Sequence, residues 1–235
     1  MERYGVINNK IQREIVLLKG KPCAWGRCLF CDYTDDNTVC EHEALCVNTA
    51  ALSQVRGMFG RLEVVNSGSV FELHGSTLDE IRKIVADKAI SALFFESAWM
   101  YRGKIEQLRE SFKPVDLMLK CGIETFDDNF RNNVMNKGID FAHPREVAEY
   151  FDSVCLLVGL EGQTREMVAR DIDILTTFFK MGCVNIFVEN TTGIKSNSGL
   201  IEWFIATYGR MDNYPGIDVL WDNTDFGVGG TEDEK

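Results

Sequence analysis

The stretch IVLLKGKPCAWGRCLFCDY, residues 15–33, joins an apolar run of strand length to a loop that carries three cysteines. Four residues separate Cys23 from Cys28, and two separate Cys28 from Cys31. A single loop can therefore point three thiolates at one centre, and three soft sulfur ligands suit an iron–sulfur cluster or zinc. The sequence predicts a metal centre directly after the first predicted strand.

The spacing of the cysteines alone leaves two other interpretations open. Cys40 or His42 could complete a tetrahedral zinc knuckle. The same spacing also opens the cluster site of plant-type ferredoxins, in which a distant fourth cysteine closes the cluster. A ferredoxin is a short electron carrier, whereas this loop begins a long series of strands and helices. Loops that follow parallel barrel strands are where catalytic sites are built, which favours an enzyme.

Apolar runs of strand length alternate with amphipathic helical patterns along the rest of the chain. Such alternation predicts an α/β fold with a parallel sheet. About six or seven units indicate a partial (βα)6-type TIM-like open barrel, because a full barrel has eight. The predicted strands are Ile15–Lys19, Leu62–Val65, Ala92–Phe95, Leu117–Leu119, Val154–Val158, Val184–Val188 and Ile217–Trp221.

Helix signals lie between these strands. Ser76 begins a predicted capping signal, Pro144 is typical of a first helical turn, and 164–179 has the pattern of a long amphipathic helix. Glycine, proline and serine do not cluster between the segments, so we predict one domain over 1–235. The acidic tail 227–235 is expected to be frayed.

The charge balance and the hydropathy limit the possible partners. There are 25 Lys and Arg against 36 Asp and Glu, a net charge of -11. This excess of negative charge argues against a dedicated nucleic-acid-binding module, which relies on clustered cations. No signal-peptide core and no apolar run of membrane-spanning length is present. We expect a cytoplasmic protein that binds neither nucleic acid nor membrane.

The sequence resembles the radical S-adenosylmethionine (SAM) superfamily at several motifs, which begin with the cysteine loop. The others are Asn66-Ser-Gly-Ser69, Gly122-Ile-Glu-Thr-Phe-Asp-Asp128 with Met135-Asn-Lys-Gly138, and Gly159-Leu-Glu-Gly-Gln-Thr164. The chain departs from the usual pattern in three places: the first cysteine spacing is four residues instead of three, no Gly-Gly-Glu is present, and Glu124 replaces the usual Gln.

The resemblance implies a radical SAM lyase with a four-iron four-sulfur cluster on Cys23, Cys28 and Cys31, and SAM as its second cofactor. It also implies an external electron donor such as flavodoxin or ferredoxin. The residues that it places near SAM are Phe30, Tyr33, Asn66, Ser67, Gly68, Glu96, Lys120, Glu124, Val158 and Gly159.

Within the superfamily the chain is similar to the stand-alone enzymes of bacterial queuosine salvage. This implies release of the base queuine from a small nucleotide, queuosine 5′-monophosphate. A radical SAM tRNA-modifying enzyme, a glycyl-radical activase and a non-enzymatic iron–sulfur electron carrier remain alternatives. Acceptors for the donor edge of the base are predicted at Glu189, Asn190, Asp222, Asn223 and Asp225. Cations for the phosphate are predicted at Arg27, Arg102 and Lys195.

Overall fold

The computed structural model describes residues 2–33 and 36–221. These residues form eight strands and six α-helices. The strands are β1 Tyr4–Ile7, β2 Arg13–Leu18, β3 Arg61–Asn66, β4 Ala92–Glu96, β5 Asp116–Glu124, β6 Ser153–Val158, β7 Met181–Ile186 and β8 Ile217–Leu220. The helices are α1 Glu41–Leu52, α2 Gly75–Asp87, α3 Ile105–Phe112, α4 Pro144–Tyr150, α5 Arg165–Phe178 and α6 Ser198–Tyr208. The predicted frayed tail lies outside the described residues.

The first of two compact units comprises Met1–Gly26 and Tyr33–Leu119. Its strands β1 to β4 are neighbours in chain order, and β2, β3 and β4 are parallel. In register, Ile15 pairs with Glu63, and Glu63 pairs with Phe94. All six residues of β2 are buried, as expected for a parallel strand that is covered on both faces.

Strand β1 was not predicted. It pairs antiparallel with β2, so that Tyr4 lies opposite Val16 and Ile7 lies opposite Arg13. Its four residues are only half-buried and include a glycine, so the segment lacks the apolar run that marks the parallel strands.

The second compact unit comprises Arg27–Asp32 and Lys120–Lys235. Parallel pairing continues in chain order from β5 through β8, and Cys155 pairs with Cys183 in register. Strand β5 is longer than predicted, because half-buried Lys120 interrupts the apolar pattern without ending the strand. The division into units leaves the single-domain prediction untested.

The helix signals are confirmed at two of three places. Pro144 is the first residue of α4, and Thr164 caps α5 by accepting a hydrogen bond from Met167 N at 3.3 Å. The predicted capping role of Ser76 is wrong. Helix α2 begins one residue earlier, and the Ser76 hydroxyl donates to Glu41 Oε1 of α1 at 2.7 Å.

Six βα units follow one another from β2 to α6 within the described residues, and β8 closes the series. The predicted α/β class with parallel strands is therefore confirmed. Among the described residues, none of the helices is long and apolar enough to cross a membrane. Within each unit the carboxyl ends of the parallel strands share one edge, where enzymes of this architecture place their catalytic groups.

Candidate active site

The turn that follows β3 is built around a buried glutamate. Strand β3 ends at Asn66, and Ser67, Gly68 and Ser69 lead into a short 3-10 turn that ends at Glu72. The Asn66 side-chain amide donates to the Ser69 carbonyl at 3.1 Å and closes the turn. Three residues predicted to bind SAM thus share one compact structure.

The Glu72 carboxylate accepts three hydrogen bonds inside the first unit. Ser69 N donates to Oε2 at 2.6 Å, and Ala24 N donates to Oε1 at 2.8 Å. The Tyr101 hydroxyl also donates to Oε1, at 3.2 Å. In addition, Lys21 N donates to the Glu72 carbonyl at 2.8 Å. One buried side chain therefore ties the turn after β3 to the beginning of the cysteine loop.

Tyr101 is held in its protonated, donating form. Burial and, after it, the neighbouring Glu72 carboxylate together raise the pKa of Tyr101 to about 12. A phenol with this pKa does not ionise at physiological pH, so its hydroxyl remains available to the carboxylate.

Gly68 leaves the space that the Glu72 carboxylate occupies. A Cβ at this position would overlap Glu72 Oε2 and would lie 3.5 Å from the Cα of Cys23. The turn predicted to bind SAM is therefore in van der Waals reach of the first predicted cluster ligand. Ser67 is fixed separately, because its hydroxyl donates to the Asp36 carbonyl at 3.2 Å. Glu96, at the end of β4, is half-buried.

The remainder of the cysteine loop, 27–32, belongs to the second unit. Leu29 N donates to the Met135 carbonyl at 3.0 Å, and the Asn136 side chain donates to the Arg27 carbonyl at 2.9 Å. Both supports come from the segment that the superfamily resemblance had singled out after β5. Arg27, predicted to bind phosphate, is exposed in this loop.

Asn190 supports the same loop. Its amide donates to the Phe30 carbonyl at 2.8 Å, and its oxygen accepts from the Thr192 hydroxyl at 2.6 Å. Thr191 N donates to Asp32 at 3.2 Å. The side-chain groups of Asn190 are thus engaged with the protein, and its predicted contact with substrate stays a prediction.

A buried ion pair lies beside Phe30. Lys137 Nζ is 2.6 Å from Glu124 Oε1 and 5.2 Å from the centre of the Phe30 ring. Burial acts to lower the pKa of Lys137, but the Glu124 carboxylate and then the Cys28 thiol outweigh it, and the net shift is upward. Glu124 has a φ of 66° at a β-bulge that begins at Gly122, which turns its carboxylate toward the lysine.

The turn after β6 is locked by Gln163. Its Oε1 accepts from Gly159 N at 2.9 Å, and its Nε2 donates to the Leu157 carbonyl at 2.9 Å. Gly159 has a φ of 105°, and a Cβ there would lie 2.5 Å from Ile201 Cγ1, so only glycine fits. Val158 and Gly159, predicted to lie near SAM, are both buried.

Two predicted substrate residues with opposite charge bind each other. Lys195 Nζ is 2.8 Å from Glu189 Oε2, and Ser196 N donates to Glu189 Oε1 at 3.1 Å. Arg102 places its guanidinium carbon 4.5 Å from the centre of the Trp99 ring. The predicted acceptors Asp222, Asn223 and Asp225 lie outside the described residues.

Two thiols and an amide meet inside the second unit. Asn185 Nδ2 donates to Cys155 Sγ at 3.4 Å, and Cys183 Sγ lies 3.8 Å from Asn185 Oδ1. The hydrogen bond from Cys183, together with burial, raises the pKa of Cys155 well above its ordinary value. A buried thiol with a raised pKa is a poor metal ligand, so Cys155 serves the packing of the strands and not a metal site.

The cysteine loop offers three thiols, the ligand type that iron–sulfur clusters use. Cys23, Cys28 and Cys31 are half-buried thiols without disulfides. Cys31 N donates to the Cys28 carbonyl at 3.4 Å, so these two residues share one turn. In the described part of the chain, no three Cys, His, Asp or Glu side chains are gathered closely enough to bind a metal ion. Cluster ligation therefore stays a prediction.

The chain is similar to solved structures of known proteins. A solved structure of a queuine lyase from Clostridium spiroforme, bound to SAM and queuine, matches with 49% sequence identity and a TM-score of 0.95. The alignment covers 98% of this chain and 100% of that chain. No protein-family model and no curated protein sequence matches. The likeness confirms the predicted fold class, a partial (βα)6-type TIM-like open barrel.

Proposed function

We propose a reaction for this chain from one premise: it belongs to the queuine lyase family of radical SAM enzymes. The chain acts as a radical SAM lyase that releases queuine from a nucleotide. The observation that carries this proposal is the 49% identity to the queuine lyase, which extends over the whole of that chain. Fold likeness alone would leave the chemistry open, because one fold hosts many functions.

The proposed cofactors are SAM and a four-iron four-sulfur cluster held by Cys23, Cys28 and Cys31. When both are bound, the cluster would supply one electron that splits SAM into methionine and a 5′-deoxyadenosyl radical, and this radical would take a hydrogen atom from the ribose phosphate part of the substrate. Support comes from the three half-buried thiols, none of which is in a disulfide, and from the close approach of Gly68 to Cys23. An external flavodoxin or ferredoxin would deliver the electron.

The residues of the chain position and shield these groups. Ser67 and Gly68 would receive the methionine end of SAM, while Glu96, Lys120 or Glu124 would meet the ribose and its surroundings. Phe30 packs on a hydrophobic cluster that includes Phe130, Met135 and Leu157. This apolar packing excludes water from one side of the loop, which protects a radical from side reactions.

The proposed substrate is queuosine 5′-monophosphate, not tRNA, and the proposed location is the cytoplasm. The net charge of -11 supports this choice, because binding of a polynucleotide depends on neutralising many phosphates. Residues proposed to bind the substrate are Glu189, Asn190, Asp222, Asn223 and Asp225 for the base, and Arg27, Arg102 and Lys195 for the phosphate.

The proposal is tested by anaerobic reconstitution with iron and sulfide, followed by addition of SAM and dithionite. We expect 5′-deoxyadenosine to form faster when queuosine 5′-monophosphate is present. Queuosine-containing tRNA should not stimulate its formation. Cys23→Ala should lose both the absorbance near 400 nm and SAM cleavage, whereas the control Cys46→Ala should keep both. Stimulation by tRNA alone would replace this proposal with a tRNA-modifying role.

A further inference from the structure

We propose that Glu72 is a positioning residue that holds the peptide after Cys23 and the Ser67–Ser69 turn in one arrangement. The inference rests on the proposed function, because it assigns those two segments to the cluster and to SAM. Neither the superfamily motifs nor the queuine lyase comparison pointed to Glu72. Its sequence signal is the spacing Ser69-x-x-Glu72, a capping box.

The two oxygens of the Glu72 carboxylate accept hydrogen bonds from two different segments. Oε1 accepts from Ala24 N, the peptide that follows Cys23, whereas Oε2 accepts from Ser69 N. Both bonds are short, at 2.8 and 2.6 Å, and Glu72 is only 4% exposed. A buried, charged acceptor makes stronger hydrogen bonds than a neutral one, so both segments are held firmly.

The position of the Glu72 carboxylate is itself fixed by its neighbours. Tyr101 donates to Oε1, and the missing side chain of Gly68 leaves the space that Oε2 occupies. The Glu72 backbone is held as well, because Lys21 N donates to its carbonyl at 2.8 Å. Glu72 thus links the residues on both sides of Cys23 to the turn. Its own position is fixed by the contacts with Tyr101, Gly68 and Lys21.

An uncharged glutamine at position 72 cannot accept both of these hydrogen bonds. In Glu72→Gln an amide NH2 would replace one oxygen and would face a backbone N–H, donor against donor. Either Ala24 or Ser69 would then lose its acceptor, and the unpaired N–H would favour another local conformation. The expected consequence is a cysteine loop and a SAM-binding turn that no longer keep a single relative position.

Four variants of the full chain test the inference. Glu72→Gln is the primary change, and Tyr101→Phe is a milder one that removes a single hydrogen bond to the same carboxylate. Glu14→Gln and Tyr4→Phe are matched controls, because buried Glu14 also accepts from backbone N–H groups and from a tyrosine, Tyr4 at 2.8 Å. The controls show what loss of a buried carboxylate does without touching the candidate site.

The first readout is amide hydrogen exchange in the protein without cluster. At least one of the Ala24 and Ser69 amides should exchange about tenfold faster or more in Glu72→Gln, since each charged hydrogen bond is worth about that factor or more. Glu14→Gln should leave both amides at the wild-type rate. If exchange at both amides is unchanged in Glu72→Gln, the inference is overturned.

The second readout uses the cluster-reconstituted protein. The change in the electron paramagnetic resonance spectrum of the reduced protein on addition of SAM reports SAM binding. We expect about tenfold weaker SAM binding in Glu72→Gln, a smaller loss in Tyr101→Phe, and wild-type binding in both controls. Equal binding in all variants would contradict the positioning role. If the wild type itself binds no SAM, the proposed function fails, and the exchange data still decide whether Glu72 positions the two segments.

Discussion

Glu14 and Glu72 are two buried glutamates of the same unit that make nearly the same contacts at opposite ends of neighbouring strands. Glu14, near the start of β2, accepts from Arg56, Gly57 and Met58 N at 2.7, 2.7 and 2.9 Å. Glu72 follows the end of β3 and accepts from Ala24 and Ser69 N. Each also accepts from a tyrosine whose pKa burial raises to about 12.

The difference lies in what each carboxylate holds. Glu14 fixes the connection that leads from α1 into β3, at the amino-terminal edge of the strands. Glu72 fixes the cysteine loop and the glycine turn at the carboxyl-terminal edge. In barrels of this kind the amino-terminal edge serves stability and the carboxyl-terminal edge carries the chemistry. A buried carboxylate that accepts backbone hydrogen bonds therefore stabilises the fold at one edge and holds the candidate site at the other.

The largest expected effect is on stability, from Glu14→Ala. This variant removes a fully buried side chain and leaves three part-buried backbone N–H groups without their acceptor. We expect the free energy of unfolding to fall by about 5 kcal/mol, because removal of one partner from a buried charged network costs about that much. Urea denaturation measures the loss. A loss below about 1 kcal/mol would show that water replaces the carboxylate. Glu14 would then not stabilise the amino-terminal edge of the strands.

A third buried carboxylate, in the second unit, sharpens the comparison because it is poorly paired. Asp171 accepts from Phe126 N at 2.7 Å through Oδ1, but among the described residues no donor reaches Oδ2. Burial raises the pKa of Asp171 to about 6, and hydrogen bonds from Thr125 and Phe126 only partly offset this. Because its pKa is raised, this carboxyl should weaken the fold when it is ionised.

The sign of the pH dependence follows from the raised pKa of Asp171. Between its ordinary value of 3.8 and about 6, the folded state holds the proton that the unfolded state has lost. Stability therefore falls as the pH rises through this window, by about 3 kcal/mol in total. Asp171→Asn should remove that slope in urea denaturation at pH 4 to 7. Parallel pH profiles for wild type and variant would contradict the assignment.

A smaller effect is expected from Gly68→Ala, which tests the turn next to Glu72. The added methyl group would displace the carboxylate, and we expect a stability loss of about 2 kcal/mol, together with weaker SAM binding. Gly75→Ala is the matched control. A Cβ at Gly75 meets nothing within 4 Å, so this change at the start of α2 should leave SAM binding as it is and raise stability by up to about 1 kcal/mol. Equal SAM binding in the two alanine variants would contradict the close fit of the turn against Glu72.

The smallest expected effect comes from the two tyrosines. Tyr101→Phe and Tyr4→Phe each remove one hydrogen bond to a buried carboxylate and should each cost about 1–2 kcal/mol of stability. Only Tyr101→Phe should also weaken SAM binding. If Tyr4→Phe weakened SAM binding equally, the two edges of the sheet would not be functionally distinct.

Much of the fold was predictable because its signals are local. The apolar runs predicted the parallel strands, and Pro144 and Thr164 predicted the starts of two helices. The role of Ser76 was mistaken because its partner, Glu41, belongs to another helix and lies 35 residues away in sequence. Local patterns carry no information about such partners, so the hydrogen bond between Ser76 and Glu41 could not be foreseen.

The candidate site was likewise predictable only where its signals are local. The three cysteines and the turn at Gly68 stand out in sequence by their spacing and residue type. Glu72 and Lys137 were not selected, because each acts through contacts that only the fold creates. The capping-box spacing at Ser69 was the one local signal that could have drawn attention to Glu72. Glu189 and Lys195 were assigned separate roles because their mutual ion pair is invisible in the sequence.

The most direct test of the central claim is release of queuine by the wild-type protein. The reconstituted protein is incubated anaerobically with SAM, dithionite and queuosine 5′-monophosphate, and the free base is measured by mass spectrometry. We predict queuine in amounts that exceed the enzyme, together with methionine and 5′-deoxyadenosine, and none when SAM or the reductant is omitted. Cleavage of SAM without any queuine, or queuine formed without SAM, would contradict the assignment.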